Sequence, residues 1–296
     1  MNDSFPCYQT RAYAKVNLAL AVGTVDADSG LHPICSWMHA IDLYDRITIQ
    51  ALETDQESRY QIVWGDGDES HPVEWSTAQD LAVCAHKLVE AKVGRALPVD
   101  LRIEKQIPAG GGLGGGSADA AAVLCGLNTL FELGLSQDEL CKIACSLGSD
   151  IPFFIDESRD IVRPAIVEGV GDRITRLVSD HTGLSITLFL PDFGCPTGKV
   201  YKAFDSCSRH QIDAQRVRLL AQSLQIDEHG LFNDLGLPAI DVVPELGELK
   251  DRIEQLVDQP VHVSGSGSTL FVIGEVDSGI VNRDQIGVEM VQCCLI

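Results

Sequence analysis

Residues 108–119 read Pro-Ala-Gly-Gly-Gly-Leu-Gly-Gly-Gly-Ser-Ala-Asp, six of the twelve being glycine. Glycine lets a backbone come close to an anion and adopt positive φ, and the first N–H groups of a following helix have no intrahelical partner. Those amides and the helix dipole favour negative charge, so the chemistry suited to this spacing is the cradling of phosphate. Flexible linkers share the composition but not the setting. Upstream, Val99, Leu101, Ile103 and Ile107 fall on one face of an extended segment, with Asp100 and Arg102 on the other. Downstream, residues 117–133 read as a helix that places Ala120, Val123, Leu124, Leu127, Leu130 and Phe131 on one side. Gly134 stands where a left-handed cap would end it.

Two better-known phosphate loops do not fit. Gly111 and Gly116 have P-loop spacing, but Ser117 occupies the place of that motif's lysine. Gly110, Gly112 and Gly115 satisfy the dinucleotide pattern, which a run this rich in glycine meets by chance. A dinucleotide fold would next need a strand ending in an acidic residue; here Ser136-Gln-Asp-Glu139, a capping box, opens another helix.

Other residues could join such a site, and each also has an ordinary reading. Along the strand predicted for residues 11–22, Lys15 and Asn17 share one surface, which by spacing alone is a half-exposed polar face. His32 follows a turn over residues 26–33, and a lone histidine is more often structural than functional. Asp150 sits in a turn between the capped helix of residues 136–147, closed by Gly148, and an apolar run expected to enter a strand. Lys105 could be a solvated strand residue, Tyr201 a packing residue, and Gly265-Ser266-Gly267 a hairpin turn between apolar strands.

The remaining elements are strands at 41–49 and 60–64, a helix at 78–93 stopped by Gly94, and a hairpin at 167–174. Residues 65–77 read as an acidic surface loop, and no repeat or linker divides the 296 residues. With 45% hydrophobic residues the chain can bury a sizeable core. Acids outnumber bases 43 to 22, a formal charge of −21 that argues against nucleic acid as a partner. A polyanionic ligand must then be held by local groups and a divalent cation, against the global field. The start lacks the basic region and apolar run of a signal peptide, no apolar stretch is long enough for a bilayer, and a cytoplasmic protein is expected. Ten cysteines include no C-x-x-C pair, and no partner cluster makes a zinc site of Cys141 and Cys145, so buried free thiols are expected. The adjacent Cys293 and Cys294 suggest no role.

The run from Pro108 to Ala121 resembles the ATP-phosphate loop of the small-molecule kinases grouped as galactokinase, homoserine kinase, mevalonate kinase and phosphomevalonate kinase. Within that superfamily it is most similar to the 4-diphosphocytidyl-2-C-methyl-D-erythritol kinases of the non-mevalonate isoprenoid route. The resemblance implies an ATP-binding loop of Pro108, Ala109, Gly110, Gly111, Gly112, Leu113, Gly114, Gly115, Gly116, Ser117 and Ala118. It puts Lys105 on the nucleotide side and Ser117 nearest a Mg²⁺ ion. Ala14-Lys15-Val16-Asn17-Leu18 is similar to the family's first strand, which implies Lys15 beside the reacting hydroxyl and Asn17 as a substrate-binding group. Leu147-Gly-Ser-Asp-Ile-Pro-Phe153 resembles the segment whose aspartate takes the hydroxyl proton, a role that falls to Asp150.

His32 matches the family histidine that holds the cytosine, but Leu31 replaces a tyrosine, a loss of ring stacking worth about 0.5–1.5 kcal/mol. Asp80 replaces an asparagine near the adenine. Tyr201 maps to an aromatic position closing over the cytosine, and Gly265, Ser266 and Gly267 to a turn facing substrate phosphates or hydroxyls. The segment 231–235 also matches, in a structural role. The implied fold is α+β: an N-terminal α/β ATP-binding domain (1–165) and a C-terminal ferredoxin-like domain (166–296), with the site between them. The implied reaction moves the γ-phosphoryl of ATP to the 2-hydroxyl of a small-molecule diphosphocytidyl polyol, with no nucleic acid or membrane partner and a monomer or homodimer as the working form. The alternatives are another alcohol kinase of the superfamily, of homoserine or mevalonate type, and a nucleotide-binding protein without turnover. An RNA-associated module is disfavoured by the charge and by the lack of aromatic-basic interleaving.

Overall fold

The computed structural model describes residues 5–27, 29–65, 73–158, 161–178, 181–207, 211–277, 279, 281 and 283–296. Residues 1–4, where the chain's start was read, Asp28 of the 26–33 turn, and 66–72 of the acidic loop lie outside them. The strands are β1 (Cys7–Val22), β2 (Ile34–Ala51), β3 (Arg59–Trp64), β4 (Val99–Lys105), β5 (Ala165–Gly169), β6 (Arg173–Arg176), β7 (Ser185–Leu190), β8 (Phe232–Asn233), β9 (His262–Val263), β10 (Leu270–Ile273) and β11 (Glu289–Cys294). The helices are α1 (Leu81–Val93), α2 (Gly115–Leu130), α3 (Gln137–Leu147), α4 (Thr197–Phe204), α5 (Ala214–Ala221), α6 (Gly236–Val242), α7 (Pro244–Val257) and α8 (Arg283–Ile286). They belong to two compact units interleaved along the chain: Met1–Ala14, Leu43–Ile107 and Gly114–Val162 form the first, and Lys15–Asp42, Pro108–Leu113 and Arg163–Ile296 the second. The architecture is α+β.

In the first unit β4 pairs in parallel with β3 and antiparallel with the second half of β2, so that Leu101 lies opposite Tyr60 and Ile49. Alternation puts Val99, Leu101, Ile103 and Lys105 inside, together with Asp45, Ile47 and Ile49 of β2. Helix α2 covers this layer through Val123, Leu124 and Leu127, all buried. A methyl group on Gly126 would lie 2.7 Å from Ile49 Cδ1 and 2.8 Å from Tyr8, so a glycine is what lets the helix approach the strands.

In the second unit the later half of β1 pairs in parallel with β8, and the first half of β2 with the β5–β6 hairpin. A four-stranded antiparallel sheet, in the order β11-β7-β10-β9, forms its other layer.

Several expectations shift. Helix α2 begins at Gly115 and ends at Leu130, with Phe131 as its cap, before the expected stop at Gly134. Helix α1 begins at Leu81 because Asp80 caps it, its Oδ1 accepting the Ala82 N–H at 2.9 Å; a short 3-10 turn precedes it. Residues Ile151–Phe154 form a buried 3-10 turn rather than the start of a strand, since four consecutive buried side chains leave no outward face and Pro152 withholds a donor. The ten cysteines are all free, but only Cys35, Cys195 and Cys293 are buried, while Cys7 and Cys145 are exposed. No helix among the described residues is long and apolar enough to cross a membrane.

Candidate active site

The glycine run divides between the units: Pro108–Leu113 packs in the second, and the residues from Gly114 onward belong to the first. Each half therefore has its own neighbours.

In the first unit Gly114 caps α2 with φ 73°, a left-handed value that favours glycine. The first intrahelical bond runs from Ala118 N–H to Gly114 O, so the amides of Gly115, Gly116 and Ser117 head the helix. Ser117 is half-buried there and Gly116 exposed.

Behind the helix start sits Lys105, 3% exposed, which is therefore not a solvated strand residue. Its ammonium donates to Asp45 Oδ2 and, at 2.5 Å, to Asp119 Oδ2. Asp45 Oδ1 accepts the backbone N–H groups of Gln106 and Ile107, at 2.5 and 2.8 Å. The triad thus ties β2, the end of β4 and the second turn of α2 around the loop's exit. Burial works against the Lys105 charge, but Asp119 and Asp45 outweigh it and raise its pKa. Burial pushes the Asp119 carboxyl well above the usual carboxylate range, Lys105 opposing, and Asp119 Oδ1 has no hydrogen-bond partner.

Asp150 belongs to the same unit. It is half-buried in the turn after α3, and the anchor beneath it is the buried 3-10 turn packed on α2 and α3. Its own carbonyl accepts the Phe153 N–H at 3.2 Å. The helix before it has the expected capping box, Ser136 with Glu139.

In the second unit Lys15 and Asn17 are buried, 2% and 3% exposed, which overturns the half-exposed reading of their strand. Lys15 Nζ donates to Asn17 Oδ1 and to Gly112 O, both at 2.7 Å. Asn17 Nδ2 donates to Ser36 Oγ at 2.8 Å. The loop meets this strand directly, since Lys15 N–H donates to Leu113 O at 2.9 Å. It also meets the second glycine turn: Thr269 N–H donates to Gly111 O at 3.1 Å and Ser264 Oγ to Gly112 O at 3.2 Å. Gly112, with φ 79°, passes so near that a methyl group on it would lie 2.2 Å from Ser264 O. A methyl group on Gly265 would lie 3.3 Å from Lys15 Nζ, Asn17 Oδ1 and Gly112 O alike. Pro108 is half-buried, and Ala109 and Gly110 are exposed.

The unit also gathers the other predicted substrate residues. His32 Nδ1 donates to Gly23 O at 2.8 Å, and its Nε2 lies 3.4 Å from Asp205 Oδ1. Its ring lies 5.1 Å from that of Tyr201 on α4. At the start of α4, Thr197 Oγ1 shares a hydrogen bond of 2.9 Å with Ser266 Oγ, while a methyl group on Gly267 would lie 3.2 Å from Cys195 Sγ. One short helix thus links His32, Tyr201 and Ser266. Leu31 is 49% exposed beside them.

Sequence reasoning missed Asp45, Asp119 and Ser36 as supports, while Asn233 falls in the 231–235 segment expected to be structural. Asn233 Nδ2 donates to Val263 O and Gly265 O, at 2.8 and 2.7 Å, and so fastens the turn that contacts Lys15. A signal existed for Asp45 and Lys105, whose positions share the inward parity of their apolar strand neighbours.

The family model for the GHMP kinases N terminal domain matches residues 80–157. The chain is 34% identical over 266 residues to the 4-diphosphocytidyl-2-C-methyl-D-erythritol kinase of Caldicellulosiruptor saccharolyticus, covering 89% of this chain and 87% of that one. It is 35% identical over 274 residues to the protein of the same name in Nocardioides sp., covering 90% and 89%. The crystal structure of a 4-(cytidine 5'-diphospho)-2C-methyl-D-erythritol kinase superposes with a TM-score of 0.71 at 28% identity, over 97% of this chain and 99% of that one. A homoserine kinase from Cytophaga hutchinsonii shares the fold at a TM-score of 0.66 and 14% identity, over 100% and 96%.

Proposed function

Because this chain belongs to the 4-diphosphocytidyl-2-C-methyl-D-erythritol kinase family, we propose how its own residues serve an ATP-dependent kinase that phosphorylates that alcohol. The bond formed joins the substrate's 2-hydroxyl oxygen to the γ-phosphorus, the bond broken is the β–γ bridge, and ADP leaves with the electron pair. Asp150 takes the hydroxyl proton. Lys15 stabilises the charge that develops between hydroxyl and γ-phosphate, and the amides from Gly110 to Ser117 hold the phosphates. His32, Tyr201 and the Gly265–Gly267 turn receive the diphosphocytidyl polyol, and Asn17 serves the substrate side through its bond to Lys15, with residues 1–165 otherwise serving ATP and 166–296 completing the substrate side.

The observation that supports this most is the bond from Lys15 Nζ to Gly112 O: it fastens a buried ammonium to the phosphate loop itself. Among the described residues no group of three or more His, Cys, Asp or Glu could hold a metal. Mg²⁺ carried on a nucleotide needs few protein ligands, and Ser117 is the side chain we assign beside it. When bound, the ion neutralises charge on the β- and γ-phosphates. Asp80, committed to the α1 cap and to Trp75 Nε1 at 2.9 Å, is left out of adenine binding. The free cysteines suit a reducing cytoplasm, and we take the working form to be a monomer or homodimer.

The test is ADP release with the diphosphocytidyl polyol and with homoserine and mevalonate as comparison alcohols. Asp150→Asn should lower the rate by about 10²–10⁴-fold. Turnover of only a comparison alcohol would replace the substrate, and an unchanged rate in Asp150→Asn would remove the base.

A further inference from the structure

We propose that Ser36 is a positioning residue that orients Lys15 through Asn17, an inference that rests on the role given to Lys15 above. Ser36 lies on β2, fully buried, and its hydroxyl has one proton to give. That proton goes to Ala19 O, an acceptor only, at 2.9 Å. Toward Asn17 the hydroxyl therefore presents a lone pair, and Asn17 must turn its NH₂ to it, at 2.8 Å. The amide oxygen then faces Lys15 Nζ, at 2.7 Å. A flipped amide would set NH₂ against the ammonium and oxygen against oxygen, two repulsive contacts in a buried place. The serine proton and the donor-only ammonium thus demand the same orientation of Asn17, and Gly112 O fixes the ammonium from the other side. Direct substrate binding by Asn17 through this amide would have to break the relay.

The expected effect of Ser36→Ala is a fall in kcat of about 10–100-fold with both KM values within twofold, because the loop and the substrate contacts stay in place. Ser36→Thr, which keeps the hydroxyl, should recover kcat to within about threefold. In an Asn17→Ala background Ser36→Ala should have no further effect, the signature of two residues acting through one another. Multiplying losses in that cycle, or a wild-type kcat in Ser36→Ala, would overturn the proposal. Hydrogen exchange of the Asn17 side-chain amide, followed by NMR, gives a readout apart from turnover. Exchange should quicken at least about tenfold in Ser36→Ala, or in Ser36→Cys if the alanine variant does not fold. Unchanged exchange overturns the relay whatever the kinetics. A wild type that phosphorylates no alcohol, with exchange still quickened, would sink the proposed function and leave the relay standing.

Discussion

Two lysines, 2% and 3% exposed, touch the two halves of the glycine run, and their partners differ in kind. Lys105 is gripped by the carboxyl groups of Asp45 and Asp119, which raise its pKa against the effect of burial. Lys15 donates to an amide oxygen and a backbone carbonyl, two neutral acceptors that orient its ammonium. The first arrangement makes a clamp: it fixes where β4 ends and α2 begins, and Asp45 satisfies the two backbone amides between them. The second makes a tool, in which position is set by neutral dipoles. Two residues of one type, equally buried, are thus held by different kinds of partner in these bonds, carboxyl groups for one and neutral oxygens for the other.

Lys15→Met should expose the difference most. On the proposed role phosphoryl transfer loses a charge aimed at the reacting phosphate, so kcat should fall by about 10³–10⁵-fold, roughly 4–7 kcal/mol of barrier, with a smaller loss of stability, about 1–3 kcal/mol, from the buried acceptor left on Asn17. Lys105→Met should do the reverse. It strands two buried carboxylates, and unfolding in urea should show a loss of about 3–5 kcal/mol. A Lys105→Met protein that is fully stable yet has lost ATP affinity would return Lys105 to the nucleotide and break the contrast.

His39 sharpens it by showing what burial does to a titratable base. Burial lowers its pKa from 6.5 to about 4, against the opposing pull of Ala40 O, and His181 lowers it further. Between those values the unfolded chain binds the proton and the folded one does not. The neutral histidine's contribution is thus complete above pH 6.5 and lost as pH falls through about 4. In His39→Gln the drop in unfolding free energy from pH 7 to pH 4 should be smaller by about 3 kcal/mol. An unaltered slope would show that His39 is charged in the folded protein.

The parts legible in the sequence were those whose cause is local. Alternation along 99–105, the Ser136–Glu139 capping box and the 167–174 hairpin each follow from neighbours a few residues away, and each is present. The junction between β4 and α2 was legible from composition because six glycines stand between apolar strand and apolar helix patterns. What distance decides was hidden. Lys105 reads as a solvated residue until Asp45, sixty positions earlier, is placed beside it. Lys15 and Asn17 alternate as a surface pair would, yet strand and turn segments far along the chain cover them. The apolar run at 151–154 has the composition of a strand, and its contacts with α2 and α3, not its periodicity, make it a turn.

The glycines of the loop carry the contrast to its smallest scale. Gly112→Ala drives a methyl group into Ser264 O and forces a left-handed residue, so it should cost about 1–3 kcal/mol of stability without any ligand. Among the described residues, the neighbour within 4 Å that such a methyl group at Gly116 meets is Leu81 Cδ1, at 3.6 Å, an ordinary contact. Packing gives no reason for glycine there, and in the first turn of a helix alanine should even add up to about 1 kcal/mol. What remains to explain the residue is close approach by a phosphate. Gly116→Ala should therefore be as stable as the parent or slightly more so in urea, while its KM for ATP rises about tenfold. A variant equally stable and equally tight for ATP would mean that the nucleotide lies elsewhere along the run, nearer the half that Lys15 holds.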